Sequence, residues 1–390
     1  MLSTRSLKDR DIHVSVGWQH EQSTATLRRE YVQPTGVLLI NDVVYHQSRD
    51  ALRLRAEVSL IRDLSFFLGG DIVVADNRSL DFDKRGDCAA VSCLETLLRD
   101  GILPGDPNTS WGIDAQNAGG RFTAPSNQVF RGPTRGGLEH LALGLRWAAM
   151  NQARDHTKPT WVLGLESRFS VGGDQRFDPG KPTANQAIGL GYHQFIFSSI
   201  FSQRFGGFEP YLGGWFMQPV LTSSSVYKNV GSGTYGSPQR RAGGDIGIES
   251  TLWEDPARHA RFGLEAAGHI EYRLEGLAQS ELWEVLSGDP RCATDASRCR
   301  AGVDVNASGA APNPGVVRSP AYGVFGGDAG FSAHLGRYAR LRSRFGLRFN
   351  EGHFLTDGGS GNTVYDVPGR RFRVEDAYSW QVLVDATASF

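Results

Sequence analysis

The last thirteen residues, Tyr378-Ser-Trp-Gln-Val-Leu-Val-Asp-Ala-Thr-Ala-Ser-Phe390, alternate without a break. Side chains of an extended strand point to opposite faces in turn. Tyr378, Trp380, Val382, Val384, Ala386, Ala388 and Phe390 therefore share one face, and Ser379, Gln381, Leu383, Asp385, Thr387 and Ser389 share the other. A strand in a water-soluble sheet runs to about 5–6 residues. This one is twice as long, and aromatic residues mark both ends of its apolar face. That is the pattern of a strand that crosses a bilayer, with an aromatic girdle at each interface.

A chain that ends on an aromatic residue after such alternation resembles the bacterial outer-membrane β-barrel proteins. Phe390 and Trp380, with Val382, Val384, Ala386 and Ala388, carry the resemblance as a membrane-assembly signature. It implies an integral protein of the bacterial outer membrane, with the lipid bilayer and the barrel-assembly machinery as partners.

Working back from the C-terminus, the same period recurs to residue 12. Ile12, Val14, Val16 and Trp18 share a face, as do Leu52, Leu54, Ala56, Val58 and Leu60 of a second strand whose start can lie as early as Val37. Later segments repeat it around Leu64–Val74, Leu141–Trp147, Trp161–Phe169, 187–205, 210–221, Ile246–Leu252, Phe262–Tyr272, Phe325–Leu335 and Leu341–Phe349. With the terminal segment these make twelve strands, an even number as bacterial single-chain barrels have. Short turns fall after even strands and longer loops after odd ones. The fold expected is all-β: one antiparallel up-and-down transmembrane barrel over 12–390, after a periplasmic segment 1–11. Its large external loops are expected at about 76–137 and 276–320. Around Phe195 and Phe197 the faces compete with Ile188 and Leu190, so a bulge is expected there. A soluble sandwich also alternates, but with shorter strands and loops at both ends.

Composition narrows the function. The 390 residues carry 41 Lys+Arg against 42 Asp+Glu, a net charge of −1, which offers no basic face for nucleic acid. No window of about 18 apolar residues forms a membrane helix, and residues 1–10 show no signal-peptide apolar core. Glycine is abundant, at 48 residues. The four cysteines fall in two close pairs, Cys88 with Cys93 and Cys292 with Cys299, which read as two disulfide-closed external loops in an oxidising compartment. Amphipathic patterns at 93–98 and 278–286 suggest short helices packed over those loops, or helices that bind other envelope proteins.

If the apolar face meets lipid, the other face lines a lumen. It carries Arg53, Arg55, Glu57, Asp71, Arg146, Glu166, Arg168, Asp245, Glu249, Glu265, Glu271, Arg273, Asp328, Arg342, Arg344, Arg348 and Asp385. Charge on that scale cannot face hydrocarbon, where a midplane Arg costs roughly 2–4 kcal/mol. Arg340, Arg342, Arg344 and Arg348 form a row, either a ladder that attracts anionic solutes or half of a salt-bridge plug completed by Asp328 and Asp385. His140 is a weak candidate for the base of a lipid-modifying enzyme, with no serine paired to it and no G-x-S-x-G elbow. His269 and His334 point inward without close metal-ligating partners. Asp81-x-Asp83 followed by Asp87 imitates a calcium loop, but Arg85 and Ser92 occupy ligand positions. No metal or other cofactor is expected. The expectation is a narrow channel for small polar or anionic solutes. The alternatives are a plugged barrel that anchors an envelope assembly and, more weakly, an outer-membrane enzyme.

Overall fold

The structure, a computed structural model, describes residues 12–83, 128–177, 185–228, 237–284, 315–355 and 371–390. All four cysteines, Asp87 and the 93–98 segment lie outside these residues. Twelve long antiparallel strands form the barrel: β1 (Ile12–Gln33), β2 (Gly36–Ile61), β3 (Leu64–Phe82), β5 (Arg135–Met150), β6 (Thr160–Ser170), β7 (Tyr192–Ser202), β8 (Phe208–Leu221), β9 (Arg241–Asp255), β10 (Ala260–Arg273), β13 (Tyr322–Leu335), β14 (Ala339–Asn350) and β16 (Phe372–Ser389). Each pairs with its neighbour in sequence, and β1 pairs with β16, so the sheet closes. Four short strands sit above the barrel: β4 (Gln128–Arg131) on β3, β15 (His353–Phe354) on β16, and β11 (Gly276–Gln279) paired with β12 (Val316–Ser319).

The seam is tied by side chains as well as backbone. Ile12 and Phe390 exchange backbone bonds at 3.2 and 2.9 Å. His13 Nδ1 lies 2.7 Å from Ser389 Oγ, and Ser15 Oγ lies 2.9 Å from Thr387 Oγ1. Closure leaves no edge with unmet N–H and C=O groups, which is why a sheet can cross lipid only as a barrel. The outward faces are apolar from rim to rim, with Val14, Val16, Leu52, Leu54, Leu143, Leu145, Ile246 and Leu264 all exposed. Tyr378 stands toward one edge of this belt and Trp253, Tyr338 and Phe390 toward the other. This is the architecture of an integral outer-membrane protein.

Tight turns lie on the side of the termini, taken as periplasmic. Four of them turn on a left-handed residue: Asp63 (φ 62°), Gly206 (φ 60°), His259 (φ 51°) and Gly336 (φ 74°). Asn, Asp, His and Gly tolerate that region best. The fifth, between β5 and β6, uses side chains instead: Asn151 accepts the Ala153 N–H at 3.0 Å, and Asp155 accepts the Thr157 N–H at 3.1 Å and its hydroxyl at 2.6 Å. Those bonds from Thr157, with Lys158 beside it, pull the Asp155 carboxyl down to about 2.

Three expectations are corrected. No bulge interrupts β7: its ladders to β6 and β8 run in unbroken register. Ile188 and Leu190 precede the strand, and Ile188 is buried inside the outer mouth. Two apolar sets in succession, one lipid-facing and one loop-packing, imitate a phase shift. The link from β1 to β2 is not a loop but a ribbon of 22- and 26-residue strands turning at residues 34–35. Above the membrane the strict alternation lapses: Leu27, Val43 and Tyr45 are buried, whereas the consecutive Val37 and Leu38 are both exposed. The 278–286 pattern is not a helix from its start, because Gly276–Gln279 pairs with Val316–Ser319; within it, among the described residues, Trp283 and Glu284 are helical.

The glycine content has a packing reason. Several glycines face inward beside a large neighbour, so long side chains lie flat against the wall. A Cβ at Gly144 would sit 2.5 Å from the Phe67 ring, one at Gly247 2.5 Å from the Tyr211 ring, and one at Gly330 2.7 Å from Arg344 Cγ. Gly144→Val should therefore cost about 1–3 kcal/mol by overpacking. The urea midpoint, read by the loss of heat-modifiable gel migration, should fall; an unchanged midpoint would contradict this packing.

Candidate functional site

The outer mouth is closed by the protein's own loops. Ala25, Leu27, Val43, Tyr45, Leu80, Phe372 and Val374 turn inward above the membrane level of β1, β2, β3 and β16. Phe130, Phe177, Leu282, Trp283, Val317 and Leu355 pack onto them, so segments from four connections meet in one apolar cap. A second cluster, Tyr192, Tyr227, Leu277 and Val316, adjoins it. Burial pushes the Tyr227 phenol well above its ordinary value, so it stays neutral.

One residue holds the cap to the wall. Arg135, 1% exposed at the start of β5, donates from Nε and Nη2 to Glu284 at 3.0 and 2.8 Å. Its remaining N–H groups reach the carbonyls of Arg176 (2.9 Å), Asn185 (3.1 Å) and Ala187 (3.3 Å). Its guanidinium also lies 4.9 Å from the Trp283 ring, with Arg78 at 5.4 Å. Arg135 thus ties the β6–β7 and β11–β12 connections to the barrel. Sequence reading missed this contact. Its signal was a Trp-Glu pair within an apolar stretch, which shows a buried polar group but not its partner.

Beneath the cap lies a chamber of about 380 Å³. Its charged lining comes from Glu21, Arg49, Arg78, Arg241, His269, Glu271, Arg273, Glu281 and Arg348. A smaller space of about 110 Å³ lies deeper, bordered by Tyr211, Trp215, Asp245, Asp328 and Arg344. Two ion pairs separate them. His269 Nδ1 lies 2.8 Å from Asp245, and Arg348 donates to Asp328 at 2.8 Å. In each pair the cationic or imidazole member lines the upper space and the carboxylate lines the lower. The partition is therefore made of charged side chains, not of apolar packing.

Toward the periplasmic end the charges segregate. Glu209, Glu249 and Glu265 stand in one rank across β8, β9 and β10. The rank continues through Gly330 to Arg344. Arg342 reaches over β13 to donate to Glu265, its Nε at 3.0 Å, and Tyr211 donates to the same carboxylate at 3.2 Å. Both members of the Arg342–Glu265 pair are buried. Asp385, expected with Asp328 to neutralise the arginine row, is the cross-strand neighbour of Arg342. Asp385 instead lies over Gly17, where a Cβ would collide with it. Arg344 makes no ion pair among the described residues, and Glu249 likewise has no cation partner there.

The other expected lumen residues form a belt. Arg55 and Arg146 both meet Glu57, at 3.1 and 3.4 Å, and both guanidiniums lie over the Phe67 ring. Arg53 sits 3.6 Å from Asp71. In β5 an extra residue between the partners of Asp71 and Ile72 turns both Glu139 and His140 inward. Asp71, Glu139 and His140 thereby bring possible ligand atoms within 4.8 Å of one another. Arg49 already holds Glu139 at 2.8 Å, so with Arg53 beside Asp71 little uncompensated negative charge is left for a dication. Among the described residues no serine hydroxyl bonds His140, whose near contact is Glu139 at 3.5 Å.

No protein-family model and no curated protein matches the sequence. Solved structures align with it at low similarity. An outer membrane channel from Pseudomonas putida F1 aligns over 98% of this chain and 97% of its own, at 11% identity and a TM-score of 0.44. A Pseudomonas aeruginosa FadL homologue aligns over 98% and 90%, at 8% identity and 0.35. The outer membrane protease OmpT from Escherichia coli aligns over 100% of both chains, at 9% identity and 0.30.

Proposed function

We propose that this protein is a narrow outer-membrane channel for small polar solutes, closed at its outer mouth by its own loops. The observation that carries the reading is the stacking of two spaces inside the barrel, with the His269–Asp245 and Arg348–Asp328 pairs bridging from one to the other. A plug built for stability alone would gain more from apolar packing, since buried ion pairs rarely outperform it. Swinging two side chains joins the spaces without breaking the wall. The charge rank below then presents carboxylates on one side and guanidiniums on the other, which favours hydrated polar solutes over apolar ones.

Arg344, uncommitted to an ion pair, is the test position. Conductance across a planar bilayer under a salt gradient should show Arg344→Glu shifting selectivity toward cations by several-fold, since one charge reverses sign in a low-dielectric wall. Identical reversal potentials in wild type and variant would remove Arg344 from the path. The anchor reading draws on the fully buried cap. It expects a folded barrel that stays silent under every condition.

A further inference from the structure

We infer that the chamber beneath the cap is a binding site for a small zwitterion of amino-acid or dipeptide size, with its ammonium at Glu21 and its carboxylate at Arg241. This deepens the channel reading, because the chamber lies on the proposed route.

The inference starts from which charges are already used. Among the arginines of the lining, Arg49 is held by Glu139, Arg78 by Asp76, Arg273 by Glu271 and Arg348 by Asp328, all within 2.7–2.9 Å. Arg241 differs. Its nearest carboxylate is Glu271 at 4.0 Å, and Glu271 is already bonded by Arg273. The Arg241 side chain keeps 35% of its exposure, although it lines an inward face. On the acid side, Glu21 has no cation within 4 Å among the described residues and receives only a long 3.5 Å bond from Gln19. Glu281, brought in by the cap, has no cation there either.

Glu21 and Arg241 also stand on well-separated walls. The strand order runs β1, β16, β14, β13, β10, β9, so four strands lie between them on the shorter way round the barrel. Opposite unused charges across one enclosed space are complementary to a molecule with opposite charges at its two ends. An inorganic ion would meet only one of them. A sugar would leave both unmet, at the desolvation cost of an unpaired charge. The volume of about 380 Å³ corresponds to roughly a dozen water molecules at about 30 Å³ each, enough for an amino acid or a dipeptide.

The test uses L-alanyl-L-alanine as probe, titrated calorimetrically into the full-length protein folded in detergent. Parallel titrations use its N-acetyl form, which lacks the ammonium, its C-terminal amide, which lacks the carboxylate, and glucose. The dipeptide should bind saturably, and each blocked form should bind at least about tenfold more weakly. Glu21→Gln should lose the same factor for the dipeptide and no longer distinguish the N-acetyl form. Arg241→Gln should likewise become blind to amidation. Heat-modifiable migration confirms that each variant is folded. Repeating the titration in Glu284→Ala, with the cap unlatched, covers the case in which the closed cap excludes the probe. Absence of saturable binding in both backgrounds would overturn the inference, as would blocked forms that bind as well as the free dipeptide. Binding by a barrel that never conducts would keep this inference and sink the channel; conduction without dipeptide binding would do the reverse.

Discussion

Arg135→Ala should open the outer mouth while leaving the barrel intact. The substitution removes every bond that Arg135 makes to Glu284 and to the carbonyls of Arg176, Asn185 and Ala187. It leaves Glu284, 4% exposed, as a buried carboxylate without its bonded guanidinium. Removing one partner of a buried pair costs about 3–5 kcal/mol. That cost falls on cap docking, because Arg135 sits at the outer end of β5 while the β3–β5 and β5–β6 ladders continue below it. The closed-to-open ratio should drop by about two to three powers of ten. Proteoliposomes bearing the variant should swell in small polar solutes far faster than those bearing wild type, with heat-modifiable migration unchanged. Equal swelling rates from two folded barrels would show that this contact does not hold the mouth shut.

Glu265→Ala should act on the deeper rank. Glu265 is the carboxylate on which Arg342 and Tyr211 converge, beside the unpaired Arg344. Without it, two neighbouring guanidiniums face Glu249 and Glu209 alone. Stability should fall by about 3–5 kcal/mol, since the buried Arg342 loses the carboxylate it is bonded to. Selectivity should move toward anions, opposite to the shift from Arg344→Glu. Denaturant midpoints and reversal potentials check the two effects separately. A variant as stable as wild type would mean that Arg342 finds Asp385 or water at no cost.

The spanning part of the fold was legible because lipid imposes a strict period. Leu52, Leu54 and Ala56 must face out and Arg53, Arg55 and Glu57 in, and the structure keeps that register. Above the bilayer the constraint lapses. Residues 19–35 therefore concealed the outer part of β1, whereas a start of β2 near Val37 was legible, and Ile188 was read as a strand residue when it belongs to the cap. The inward charges were legible as a set but not as pairs. Cross-strand adjacency pointed Arg342 to Asp385, whereas a side chain long enough to cross Gly330 and Ser332 finds Glu265. Arg348–Asp328 is diagonal to strict register and was within reach of the same reasoning. The latch was beyond it, because Arg135 and Glu284 are separated by 149 positions and only the closed barrel brings them together.

Single-channel recording of the purified, refolded protein in a planar bilayer tests the central claim most directly, with wild type and Glu284→Ala recorded side by side. A loop-closed channel predicts rare, brief steps from wild type and frequent steps of the same size from Glu284→Ala. A heat-modifiable, correctly folded barrel that stays silent in both proteins would contradict it and leave the protein a plugged barrel.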